Sequence, residues 1–133
     1  MSHLQHFDYP GFGERSKDIF NYSQAVRIDK RIEISGQGGW DRITEEFPES
    51  LLGELNQTFD NIEHALQQAG GKGLEQVYKL RFFITVPLDE IAGDLARVMK
   101  ERFKDHGPLA SVIKVMGLYK TSRVEIEAEA HLG

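Results

Sequence analysis

The chain has 133 residues, 40% hydrophobic and 28% charged, which suits one globular domain with one core and excludes a disordered chain. Its net charge is −5 with 16 scattered Lys and Arg, so it offers no basic face on which nucleic acid could release counterions. It has no cysteine, which excludes disulfides, thiolate nucleophiles and Cys-based metal sites and fits a reducing, cytoplasmic setting. No apolar run approaches the roughly 18 residues of a membrane span. The stretch Met1 to Asp8 has no basic region leading into an apolar one, so no secretory signal is expected.

In chain order, the first 20 residues carry Pro10, Gly11 and Gly13 without an apolar period, which predicts an irregular arm to a single domain over 1–133. Tyr22 to Arg27 and Arg31 to Ser35 are β-prone runs around Ile28-Asp29-Lys30, a hairpin pattern. Gly36-Gln37-Gly38-Gly39 is expected to stop the second strand. From Pro48 to Ala69 the apolar residues Leu52, Leu55, Phe59, Ile62, Leu66 and Ala69 recur at three- and four-residue steps, one face of a helix that Gly70-Gly71 ends.

Val77 to Val86 reads as a strand with Tyr78, Leu80, Phe82 and Ile84 on its apolar face. A second helix over Leu88 to Lys104 turns Ile91, Leu95, Val98 and Phe103 inward, and Gly107-Pro108 follows it. Strands over Ala110 to Val115 and Arg123 to His131 complete the chain. In the last, Val124, Ile126, Ala128 and Ala130 alternate with Glu125, Glu127, Glu129 and His131. The order β-β-α-β-α-β-β predicts an α+β fold with both helices on one sheet face. The other face mixes Phe83 and Val112 with Lys79, Arg81 and the Glu series, which suits water or another subunit.

Three stretches carry a family likeness. The first is Tyr22-Ser23-Gln24-Ala25-Val26 with Ile34-Ser35-Gly36-Gln37, and the second is Asp60-Asn61-Ile62 with Ala69-Gly70-Gly71. The third is Pro108-Leu109-Ala110-Ser111 with Val124-Glu125-Ile126-Glu127-Ala128. By these motifs, in this order from about residue 20 onward, the chain resembles the RidA (YjgF) family.

The resemblance implies a chorismate-mutase-like fold and a homotrimer with a central β-barrel, its ligand clefts lying between subunits. Active members hydrolyse imines or enamines such as 2-aminoacrylate to a keto acid and ammonia. Their arginine holds the substrate carboxylate and a glutamate near the end positions the water. Tyr22 matches the pocket tyrosine, Ser35 and Gly36 the turn at the cleft floor, and Glu125 the glutamate. The arginine has no counterpart: Ala110 stands in its place, pointing into the cleft opposite Glu125 on the neighbouring strand if the family's geometry is kept, and Val112 occupies the next pocket position. Lys114, with matching parity along the strand, offers a point charge rather than a guanidinium fork.

The resemblance, with alanine in the arginine's place, implies a trimer that binds a small metabolite without the usual deaminase activity. The alternatives are an imine or enamine hydrolase of altered specificity, using Glu125 as its catalytic group, and a protein-interaction or chaperone-like trimer. The ribonuclease and translation-inhibitor activities attached to the family by name fit poorly with the acidic charge. Trp40 reads equally as a cap on the cleft or as a buried anchor of its loop. Arg81 suits a subunit-interface ion pair better than an anionic ligand. The five histidines lack paired metal spacing, and no cofactor is expected.

Overall fold

The computed structural model describes all residues from Met1 to Gly133. A six-stranded sheet runs in the order β1-β2-β3-β6-β4-β5. The strands are β1 Gln5–Phe7, β2 Ala25–Ile28, β3 Arg31–Gln37, β4 Val77–Ile84, β5 Leu109–Lys114 and β6 Val124–His131. Neighbours are antiparallel except β4 and β5. That parallel pair needs a crossover, which is the helix α3, Leu88–Arg102. The other helices are α1, Phe12–Phe20, and α2, Leu51–Gln68. The expected α+β class is what the chain adopts.

α2 forms where the apolar period predicts it. Ser50 caps it, its Oγ accepting from the Gly53 N–H at 3.0 Å. Leu55, Phe59, Ile62 and Leu66 are completely buried. At the far end Gly71 N–H returns to the Leu66 carbonyl at 2.9 Å, which requires the left-handed turn at Gly70, φ +95°. α2 lies over β3 and β6 and beside α3. Phe59 meets Phe82 of β4 and Phe103 at ring distances of 6.4 and 6.0 Å.

Four local expectations are corrected. The first 20 residues are not irregular: Gln5–Phe7 extends the hairpin as a third strand, and Phe12–Phe20 is helical. Glu14 accepts from the Gly11 N–H at 3.3 Å at the start of α1, and Phe12 and Ser16 lie on its buried side. Gly36 does not stop β3, which continues to Gln37 through an irregularity in its pairing with β6. Tyr78 does not face the core. A similar irregularity between Val77 and Lys79 gives Val77 the core position, and the Tyr78 hydroxyl reaches Glu129 at 3.0 Å on the opposite face.

The fourth correction concerns β5. β4 separates it from β6, so Ala110 is not on a strand next to that of Glu125. Ala110, Val112 and Lys114 are level with Leu80, Phe82 and Ile84, on the helix-side face of the sheet, so Val112 leaves the open-face group. Leu109, Ser111 and Ile113 share the open face with Lys79, Arg81 and Phe83 instead. All six residues of β5 are exposed.

Candidate functional site

The site starts from the irregularity in β3. Ile34 pairs with Ala128 and Gln37 with Ile126, so Ser35 and Gly36 together oppose Glu127 alone. Ile34 and Gln37 both point into the core, which leaves both intervening residues on the open face. Gln37 is completely buried and fully engaged. Its Oε1 accepts from the Tyr9 hydroxyl at 2.8 Å, and its Nε2 donates to Gln24 Oε1 at 2.8 Å and to the Ser35 carbonyl at 3.1 Å. Ser35 Oγ donates to the Ser23 carbonyl at 2.7 Å, tying the bulge to the segment that carries Tyr22.

Glu125 reaches the bulge from β6. A Cβ added to Gly36 would stand 3.2 Å from Glu125 Oε1, so glycine is what lets the carboxyl lie against the backbone there. Glu125 is partly buried, and Tyr119 N–H donates to its Oε2 at 3.1 Å. Burial pushes its proton affinity above that of an ordinary glutamate, the Tyr119 N–H opposes this, and the charge of Glu127 adds to it. A carboxyl so placed can hold a proton, or a water, beside the Ser35–Gly36 bulge.

Tyr22 and Ser35 line one cavity of about 350 Å³ with His6, Ser23, Glu33 and Glu127. Glu127 rather than Glu125 borders it, and Glu125 lies on the Gly36 side of the same bulge. Glu127 was legible from the alternation of β6, which places it on the face of Glu125. Its carboxylate takes a bond from Arg81 at 2.9 Å, and Lys79 lies 3.9 Å from Glu129. Both cations are therefore engaged within the sheet.

Trp40 is not a cleft residue. It is 1% exposed, stacks on Phe12 at 3.9 Å and donates from Nε1 to the Tyr9 hydroxyl at 3.0 Å. Asn61 of α2, completely buried, holds the loop before it through Nδ2 bonds to the Gly38 and Trp40 carbonyls, each 2.8 Å. Ala110 and Val112 lie apart from the rest, on the exposed β5 edge and on the other face from Glu125. One protomer thus sets Tyr22 and Ser35 around one cavity and Glu125 against Gly36 of the same bulge, and leaves Ala110 and Val112 apart. No three acidic or histidine side chains converge to hold a metal ion, and no helix is long and apolar enough to cross a membrane.

Residues 13–132 match the family model described as Endoribonuclease L-PSP. A relative from Dermatophagoides farinae named 2-iminobutanoate/2-iminopropanoate deaminase is 35% identical over 108 residues, covering 80% of this chain and 82% of that one. The solved structure of RidA from an Antarctic Psychrobacter superposes with a TM-score of 0.79 at 27% identity, covering 98% of this chain and 99% of that one. A Mycobacterium tuberculosis member of the YjgF/YER057c/UK114 family gives 0.79 at 25% identity, covering 96% and 98%.

Proposed function

Because this chain belongs to the Endoribonuclease L-PSP family, also known as RidA or YjgF, we propose that it is a homotrimer binding a small metabolite in clefts between subunits, without the usual 2-aminoacrylate deaminase activity. The observation that carries this reading is alanine at position 110. The imino acids in the deaminase relatives' name are carboxylic acids, and a guanidinium anchor contributes about 1.5–3 kcal/mol per charged hydrogen bond. Ala110 supplies no donor. Arg81 and Lys79 are paired with Glu127 and Glu129, and Lys114 lies on the exposed β5 edge.

The trimer has its own support. Ala110 and Val112 can join Glu125 in one cleft only if β5 of one copy lies beside the Ser35–Gly36 bulge of another. That edge is unpaired and carries Leu109, Val112 and Ile113 at 67%, 40% and 40% exposure, more apolar surface than a free edge strand tolerates.

A direct assay of 2-aminoacrylate hydrolysis tests the reading. The wild-type protein should run at least ~100-fold below an arginine-bearing relative, the order of loss that follows a misplaced substrate. Ala110→Arg should raise the rate, and adding Glu125→Gln should remove that gain. Robust hydrolysis by the unmodified protein would overturn it. A second reading, favoured by the raised proton affinity of Glu125, is a hydrolase of imines or enamines that lack a carboxylate. Ammonia release from such a neutral substrate, lost in Glu125→Gln, distinguishes that enzyme from a binding protein.

A further inference from the structure

Glu125 depends on a donor in a segment without regular structure. Tyr119 lies in residues 115–123 between β5 and β6, so the aim of its N–H follows from whatever holds that segment. The holding group is Glu45, from the loop after Trp40. Its Oε1 accepts from the Tyr119 hydroxyl at 2.9 Å and from Lys120 Nζ at 3.2 Å, and its Oε2 from Arg15 Nε at 2.7 Å. Arg15 also donates to the Ile43 carbonyl at 2.9 Å. One carboxylate, its side chain 15% exposed, joins α1, its own loop and the β5–β6 connection.

The backbone and packing fit that role. Glu45 and Lys120 both sit in the left-handed region, φ +63° and +52°, which side-chain-bearing residues hold only where their surroundings impose it. The Tyr119 ring stands edge-on to Trp40 and Phe12 at 6.0 and 5.8 Å, so its hydroxyl and ring clamp the residue from two sides.

We propose that Glu45 is a positioning residue for the cleft: by holding Tyr119 and Lys120 it keeps the Tyr119 N–H aimed at the Glu125 carboxyl. Its functional meaning rests on Glu125 being the working carboxyl of the cleft; its geometry does not. The other charged group beside Glu125 on its face is Glu127, itself paired with Arg81, and a change at Glu45 touches neither.

The experiment is an NMR titration of the Glu125 side-chain carboxyl carbon in ligand-free full-length protein. It compares the wild type with Glu45→Ala, Tyr119→Phe and the control Arg102→Ala. The control loses bonds to Asp60 and Asn56 at the α2–α3 junction, which share no hydrogen bond with this hub. Freeing the segment removes a donor to the charged form, so Glu45→Ala should raise the proton affinity of Glu125 roughly tenfold. Tyr119→Phe should raise it by less, and Arg102→Ala should leave it unchanged despite lower stability. A midpoint that stays put in both hub variants, or that moves equally in the control, overturns the proposal. Should Glu45→Ala fail to fold, Tyr119→Phe, which removes one hydroxyl, decides the matter alone. The titration is read without ligand or turnover, so failure of the metabolite-binding reading leaves this result standing, and the reverse holds too.

Discussion

Replacing Asn61 with alanine should be among the costliest single changes in this chain. The side chain is completely buried, donates to the Gly38 and Trp40 carbonyls at 2.8 Å each, and accepts from Arg42 and Gln57 at 3.0 Å each. Arg42 and Gln57 are partly exposed and can turn to water. The two carbonyls cannot. Each buried group left without a partner costs about 1–3 kcal/mol, so the pair gives roughly 4 kcal/mol. Against a total of about 5–15 kcal/mol for a domain, that is a large fraction. At roughly 3–5 °C per kcal/mol for a chain of this length, the melting temperature should fall by ~12–20 °C. Urea unfolding by circular dichroism and calorimetry, both at one protein concentration, would measure it. Asn61→Asp should cost at least as much near neutral pH, because it sets a carboxylate against the same two carbonyls. A loss under about 1 kcal/mol for Asn61→Ala would refute the idea that α2 holds the loop before Trp40.

Trp40, as a core residue, should emit at short wavelength and resist quenching by acrylamide, and Trp40→Ala should cost about 3–5 kcal/mol; ready quenching would restore it to the cleft surface. For Glu125, the native state keeps its proton after the unfolded chain has released it, so stability falls as pH rises from the ordinary value near 4.5. Glu125→Gln should therefore gain melting temperature on the wild type over that rise, with a constant gap beyond the folded-state midpoint, and a pH-independent gap would contradict the raised proton affinity. Light scattering at micromolar concentration should give about three times the 15.1 kDa chain mass, and a mass of one chain would remove the trimer.

How far the sequence could be read depended on whether a feature is periodic. α2 and β6 follow their apolar periods almost residue for residue, since burial on one face is what selects those residues. Motif spacing singled out Ala110, Glu125 and the Ser35–Gly36 pair, and of these the structure brings Glu125 to the bulge and leaves Ala110 apart. What escaped reading is what breaks a period. The irregularities at Ser35–Gly36 and at Tyr78 each insert a residue that pattern alone cannot reveal, and they reversed the facing of Tyr78 and carried β3 through a glycine. α1 has nine residues with Phe12, Gly13 and Ser16 as its buried set, too short and too weakly apolar to show as a stripe. The separation of β5 from β6 is a matter of long-range pairing, so Ala110 and Glu125 looked adjacent when they are neither neighbours nor on one face. Trp40 was open between two roles because nothing local in the sequence states what lies above a loop.

The bulge in β3 carries a consequence for how this chain tolerates the loss of a residue. A sheet needs one residue opposite Glu127, and β3 supplies two. Losing Gly36 would let Ser35 pair with Glu127 alone and leave Gln37 opposite Ile126, still pointing inward to Tyr9 and Gln24. The hairpin, the sheet order and the buried glutamine network could all persist. What would vanish is the open backbone against which Glu125 Oε1 rests. The architecture and the seat of Glu125 are therefore separable by a single codon: a deletion there should yield a protein that still folds and leaves the Glu125 carboxyl without its place against the β3 backbone.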